Sequence, residues 1–242
     1  AADLRFTSAE AAAFLNQAMG LALSAADVAA LETRTEGWIA GLQLAALSMQ
    51  GRQDVSDFIQ AFAGDHRYIA DYLVEEVLQR QSESVRRFLL ETSILERLTG
   101  GLCDAVTGQD GGSARLEALE RANLFVIPLD DRRVWFRYHH LFAEVLRSHL
   151  RAERPEQVAP LHGRASRWFE GNGSVPEAIR HALAAADNPR AAELIEKAVP
   201  ELRRQRQETT LLGWLRALPD DVLRQRPVLS NFFAGVLMQT GD

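Results

Sequence analysis

A single cysteine, Cys103, stands in this chain of 242 residues. No disulfide can close within the chain and no thiolate cage can hold a metal, which fits a reducing compartment. No apolar run reaches the roughly 18 residues of a membrane-spanning helix, and no signal-peptide core precedes the first helices. These absences point to a cytoplasmic protein. Positive charge is outnumbered, with 27 Lys and Arg against 33 Asp and Glu and a formal net charge of -6. That argues against a polyanion-binding surface over the whole molecule, though it leaves room for a local patch. The Gly-x-x-x-x-Gly-Lys-Ser/Thr phosphate loop, the Gly-x-Ser-x-Gly elbow and the His-Glu-x-x-His helix are all missing. The chain by itself is therefore expected not to be an enzyme.

What is present is ordinary for a globular protein, 47% hydrophobic and 25% charged, with length enough for one to three domains. The chain opens Ala1-Ala2-Asp3 and stops at Thr240-Gly241-Asp242 just after an apolar helix, as expected of a piece of a longer protein.

Three Ser/Thr-x-x-Glu/Asp signatures come early: Thr7 with Glu10, Ser24 with Asp27, and Thr33 with Glu36. In each, a hydroxyl can accept from an orphan helix N–H while the acid faces the positive helix end. They predict three short helices before residue 50. The third, Glu36-Gly-Trp-Ile-Ala-Gly-Leu-Gln-Leu-Ala-Ala-Leu47, is apolar nearly all round, which marks a helix packed on most sides. Gln43 is the exception. It is either a core glutamine satisfying a neighbouring backbone group, or it belongs with Gly41 and Leu42 against a bound ligand. Residues 51–64 read as a connector around a short helix with Phe58, Ile59 and Phe62 on its buried side.

Ile69, Tyr72, Leu73, Glu76 and Val77 then share one helical stripe, and Val85, Phe88 and Leu89 share another. Gly100-Gly101 and Gly111-Gly112 bracket a short helix around Cys103, and Ser113 is placed to cap a helix over 114–122 with Leu116 and Leu119 inward. Two β-rich runs follow, 124–129 and 134–138, on either side of the turn Asp130-Asp-Arg-Arg133, and a helix begins near His139. Helices, a β-hairpin and a further helix predict a winged-helix module of roughly 85 residues. A DNA-reading winged helix carries a basic helix before its wing. Here Arg115 and Arg121 are offset by Glu117 and Glu120, and the wing tip sets Asp130-Asp131 against Arg132-Arg133. Without surplus positive charge the phosphate contribution to DNA affinity is missing.

From 153 onward the pattern is all helical, with helices over 158–170, 175–186, 189–199, 209–217 and 227–239. Breaks fall at Gly171-Asn-Gly173, Asp187-Asn-Pro189 and Leu218-Pro219-Asp220. Trp168 and Phe169, then Ala178, Ile179, Ala182 and Leu183, then Ala192, Leu194 and Ile195 alternate small and large residues as stacked helical hairpins do. The run Arg203-Arg-Gln-Arg206 reads as a solvated helix face.

His139 and His140 point about 100° apart on a helix, with no acidic or thiol partner at ligand spacing from His139, which disfavours a metal. His139 shares the buried side with Phe142, Ala143 and Leu146. It is either a hydrogen-bonded core histidine or a donor to an anion, most naturally a phosphate, at a helix start.

Gly37-Trp-Ile-Ala-Gly-Leu-Gln-Leu44, together with Phe136-Arg-Tyr-His-His-Leu-Phe142 and the helical tail, resembles the ATP-dependent transcription activators of the MalT-like branch of the LuxR family, within the STAND class of signal-transduction NTPases. The resemblance implies a mainly α fold. It divides into a helical segment ending a nucleotide-binding module (1–63), a winged-helix domain with one β-hairpin (64–152), and a helical arm starting TPR-like sensor repeats (153–242). It implies that Gly41, Leu42, Gln43 and Leu44 correspond to a Gly-Leu-Pro-Leu stretch packing on adenine, with Gln43 in place of the proline. His139 would match the histidine of a Met-His-Asp motif that reaches the ADP β-phosphate, with Tyr138 and His140 replacing its neighbours. No cofactor is expected in this chain alone; ATP or ADP belongs to the longer protein. Expected partners are an upstream P-loop domain, a downstream sensor and LuxR-type DNA-binding domain, and an inducer or protein effector, with self-association on activation, no membrane and no direct DNA contact by this segment. Two other readings stay open: a freestanding winged-helix DNA-binding regulator and a helical protein-interaction scaffold.

Overall fold

A computed structural model describes residues 6–35, 37, 39–49, 59, 78–79, 81–122, 124–204 and 207–240. The connector over 51–64 apart from Ile59, the stripe from Ile69 to Val77, and Glu36 lie outside the described residues. Ile59 itself is buried, as its place in the pattern predicts. The chain divides into two compact units, residues 1–100 with 111–153, and residues 101–110 with 154–242.

The first unit opens with α1 (Ser8–Ala13), whose capping box is formed: the Thr7 hydroxyl accepts from the Glu10 amide, and the Glu10 carboxylate accepts from the Thr7 amide at 2.9 Å. The helix runs on into a π turn over Phe14–Ala18. Ser24 and Asp27 form the same reciprocal pair at 3.2 Å each way and open α2 (Ala25–Thr35). The third expected box does not start a helix. Thr33 lies in the last turn of α2, which ends at Thr35; Gly37 then adopts φ +71° and its N–H donates back to the Glu32 carbonyl at 3.2 Å. Glycine is needed there because a Cβ would fall 2.5 Å from the Phe6 carbonyl oxygen. The third helix, α3 (Ile39–Met49), follows this stop and buries Leu42, Ala45, Ala46 and Met49.

The winged helix of this unit is built from α4 (Glu83–Thr92), capped by the Ser82 hydroxyl, and α6 (Gly112–Arg121); between them in sequence lies α5 (Gly100–Thr107), whose residues from 101 on belong to the second unit. Ser113 does not cap α6. Gly111, at φ +90°, is the N-cap, and Ser113 lies inside the first turn against Gly100, where an added Cβ would meet its Oγ at 1.9 Å. Next come β1 (Val126–Pro128) and β2 (Phe136–Tyr138), antiparallel, with Val126 opposite Tyr138 and Pro128 opposite Phe136. The strands are shorter than the apolar runs because Phe125 turns to φ +56° before β1, and the Asp130 loop closes the other end. On its far edge β2 pairs with Leu98, exchanging Leu98–Phe136 backbone bonds of 2.8 and 2.9 Å. One bridging residue has no periodicity, so no sequence pattern shows it. Helix α7 (His140–Glu153) packs on α4 and buries Leu141, Phe142, Val145, Leu146 and Leu150. Burying each such large side chain contributes about 1.5–3 kcal/mol.

The second unit stacks α8 (Pro155–Gly171), α9 (Val175–Ala184), α10 (Asn188–Arg204), α11 (Glu208–Arg216), α12 (Asp220–Arg224) and α13 (Pro227–Thr240). Helix α8 begins three residues before its expected start because Pro155 serves as its first-turn proline. Pro160 and Pro200 stay inside helices, and the short α12 after Pro219 has no counterpart in the sequence pattern. Ala165, Ala178, Ala182, Ala191 and Ala192 are fully buried between Leu161, Ile179 and Ile195, so small residues let the helices approach while large ones fill the gaps. Leu183, by contrast, is only half-buried. Among the described residues no helix is long and apolar enough to cross a membrane.

Candidate functional site

His139 sits immediately before α7. Its backbone N–H donates to the Phe125 carbonyl at 2.8 Å, and its carbonyl accepts from Ala143 at 2.9 Å, opening the helix. The side chain is 4% exposed, on the same buried side as Phe142, Ala143 and Leu146, as the helical spacing predicts. Its ring stacks on His140 with centroids 4.7 Å apart. Its Nε2 lies 2.8 Å from the carbonyl oxygen of Thr35, across 104 residues of sequence. A carbonyl can only accept, so Nε2 carries the proton. Thr35 ends α2, where carbonyls lack intrahelical partners, so the imidazole caps the C-terminus of that helix.

This bond ties the winged helix to the element just before the Gly-Leu-Gln-Leu stretch. Gly41 and Leu42 are buried on α3, whereas Gln43 is exposed, so Gln43 is not the core glutamine that an all-round apolar helix suggested. Leu44 lies in the same helix, and its side chain is outside the described set. In the neutral imidazole the one N–H is the Nε2 proton that Thr35 takes, so the neutral ring can serve either Thr35 or a phosphate oxygen, not both.

The helix before the wing has no free basic face. The Arg115 guanidinium lies over the Phe88 ring, 5.5 Å from its centroid, the Arg121 side chain donates to the Glu117 carbonyl at 3.3 Å, and Arg133 of the wing pairs with Glu120 at 3.2 Å. The wing turn is held by Asp130, whose carboxylate accepts from the Val134 and Trp135 amides at 3.1 and 2.7 Å.

Residues 74–158 match the MalT winged helix domain family. That stretch is a MalT-type winged helix. Over 240 residues it is 43% identical to the serine/threonine-protein kinase PknK of Mycobacterium tuberculosis, covering 98% of this chain and 22% of that protein. The PknK of Mycobacterium bovis matches to the same extent. Over 230 residues it is 35% identical to the HTH-type transcriptional regulator MalT of Yersinia enterocolitica, covering 94% of this chain and 26% of that protein. The chain thus spans about a quarter of the length of the curated relatives it matches.

Two further features of the chain escape sequence reasoning. Cys103 is buried, and burial first, with Asp104 second, pushes its thiol well above the usual range, so it is an inert core residue. In the second unit, His162 of α8 and His181 of α9 face each other with their Nδ1 atoms 2.8 Å apart. Both positions lie within helical stripes, and nothing in their spacing marks a pair; only the packing of α8 on α9 brings them together.

Proposed function

We propose that this chain is the regulatory, signal-transducing centre of a bacterial ATP-dependent transcription regulator, in which the winged helix is a clamp rather than a DNA reader. The observation that carries the reading is the His139–Thr35 bond, which fastens the helix after the wing to the helical segment ahead of α3. The absence of a surplus basic face beside the wing supports the same role. So do the relatives: a protein named as a kinase and one named as a transcriptional regulator share this segment over most of its length. A segment common to two such outputs is better suited to control than to either output chemistry. In the longer protein, an upstream P-loop domain would bind ATP or ADP, a downstream helical sensor of TPR-like repeats would take an inducer or protein effector, and a LuxR-type domain would bind DNA, all in the cytoplasm. Gly41, Leu42, Gln43 and Leu44 would line the base and His139 would face the phosphates.

When bound, the nucleotide supplies anionic oxygens that compete for a donor. His139 holds its Nε2 proton toward Thr35 or gives it to such an acceptor, and only the first arrangement pins the winged helix to α2. Inducer binding would shift the population between these arrangements by its differential affinity, followed by self-association. The experiment is basal output of the longer protein without inducer, read as transcription from its target promoter. His139→Ala should change basal output severalfold while the protein remains folded. Basal output equal to wild type would reject the clamp.

A further inference from the structure

The facing nitrogens of His162 on α8 and His181 on α9, 2.8 Å apart, hold a single proton between them: one ring donates and the other accepts. A guanidinium decides which. An amine of Arg180 lies 3.2 Å from the other nitrogen of His181, Nε2, and can only donate there. His181 therefore accepts at Nε2 and donates from Nδ1. His162 in turn accepts at Nδ1 and keeps its own proton on Nε2, so the bonds run one way, from Arg180 through His181 to His162.

That direction leaves no place for a third proton on the two rings. On Nδ1 of His162 it would face the N–H of His181. On Nε2 of His181 it would face the N–H of Arg180. Switching His181 to its other tautomer only moves the collision from one end of the chain to the other. The His181 ring is fully buried, so water cannot replace a bond lost there. No carboxylate among the described residues bears on that ring; Arg180 and His162 alone do. The acids of the packed helices are engaged elsewhere: Glu177 holds Arg180 at 2.6 Å, Glu170 of α8 holds Arg190 of α10 at 2.6 Å, and Glu193 of α10 holds Lys197 at 2.7 Å. His162 is only half-buried, which gives a proton its way in.

We propose that Arg180, His181 and His162 form a proton-sensitive latch on the α8–α9 hairpin, closed while the two rings carry two protons and released by a third. Arg180 sets the response, because its N–H blocks the tautomer of His181 that would accept from a protonated His162.

The test uses the 242-residue chain and its Arg180→Gln variant. A glutamine amide can donate to Nε2 of His181 or accept from it, so it permits both tautomers. Imidazole nitrogen NMR at pH 7.5 should show the wild-type proton of His181 on Nδ1 and that of His162 on Nε2. Between pH 7.5 and 5, hydrogen-exchange protection of the α9 amides should fall at least about tenfold relative to those of α6 in wild type. In Arg180→Gln, with a melting temperature at pH 7.5 confirming a folded protein, that fall should be largely removed. A His181 proton on Nε2 at pH 7.5, or α9 protection that does not change with pH in wild type, would overturn the proposal without recourse to the variant. An equal fall in folded Arg180→Gln would overturn it as well.

Discussion

The Nδ1 atoms of His162 and His181 stand 2.8 Å apart while an amine of Arg180 lies 3.2 Å from Nε2 of His181. Arginine can only donate, so His181 accepts at Nε2 and must carry its proton on Nδ1, which makes it the donor to His162. The ring is fully buried and stacks on Phe169 with centroids 5.4 Å apart. Burial first, then the charge of Arg180 and the neighbouring His162, push its pKa down to about 3 from an ordinary 6.5.

The sign of the pH effect follows. The unfolded chain binds the proton that folded His181 refuses, so its contribution is fully present above pH about 6.5 and declines as pH falls toward about 3. The loss amounts to a few kcal/mol at the acid end. Melting temperatures between pH 7 and 4 should fall more steeply for wild type than for His181→Phe, which keeps an aromatic ring beside Phe169. Parallel curves would show that His181 does not govern acid stability.

Asp130 organises the wing through its carboxylate. Backbone hydrogen bonds from Val134 and Trp135 hold its pKa below the usual value. The wing turn is accordingly firm above pH about 4 and loosens as Asp130 becomes protonated below it. Asp130→Ala should speed hydrogen exchange at the Val134 and Trp135 amides at neutral pH, with little change in α4 or α7. Unaltered exchange at both amides would mean that the turn closes without this side chain.

A hydroxyl chain fixes β2 against α4. The Thr92 hydroxyl lies 2.6 Å from both the Phe88 carbonyl and the Tyr138 hydroxyl. Since Thr92 gives its one proton to the carbonyl, Tyr138 donates to Thr92. Tyr138→Phe removes one bond and should cost about 1 kcal/mol, whereas Thr92→Val removes two and should cost about 1–3 kcal/mol, read from denaturant unfolding. A larger loss in Tyr138→Phe than in Thr92→Val would reverse the donor assignment.

Gly100 is a packing glycine. A Cβ there would strike the Ser113 side chain and come within 2.7 Å of its backbone nitrogen. Gly100→Ala should destabilise by about 1–3 kcal/mol through overpacking, and Ser113→Gly should recover part of that loss. No effect of Gly100→Ala on the denaturant midpoint would show that α6 can shift freely.

Much of the fold was legible because local chemistry and packing agree. The Thr7 and Ser24 boxes, the hairpin around the Asp130 turn, and the buried stripes of α7 and α9 follow from capping and periodicity. The Thr33 box failed because Gly37, four residues on, stops the preceding helix. Ser113 failed as a cap because Gly111 takes the left-handed conformation that begins α6 two residues sooner. Pro200 looks like the end of the helix expected over 189–199, yet α10 runs through it to Arg204. At the site, spacing put His139 on a buried face, but its partner is a main-chain carbonyl 104 residues away, and backbone atoms carry no sequence signal. The His162–His181 pair was hidden for a related reason: it depends on the crossing of α8 and α9.

The most direct measurement is the ADP retained on purification by the longer protein that contains this segment, wild type against His139→Ala, with His139→Gln as a variant that keeps a donor of similar reach. If His139 gives its Nε2 proton either to Thr35 or to a phosphate, His139→Ala should lose most of the ADP and His139→Gln should keep more of it. Equal ADP in all three proteins would contradict that role and leave His139 as the cap of α2.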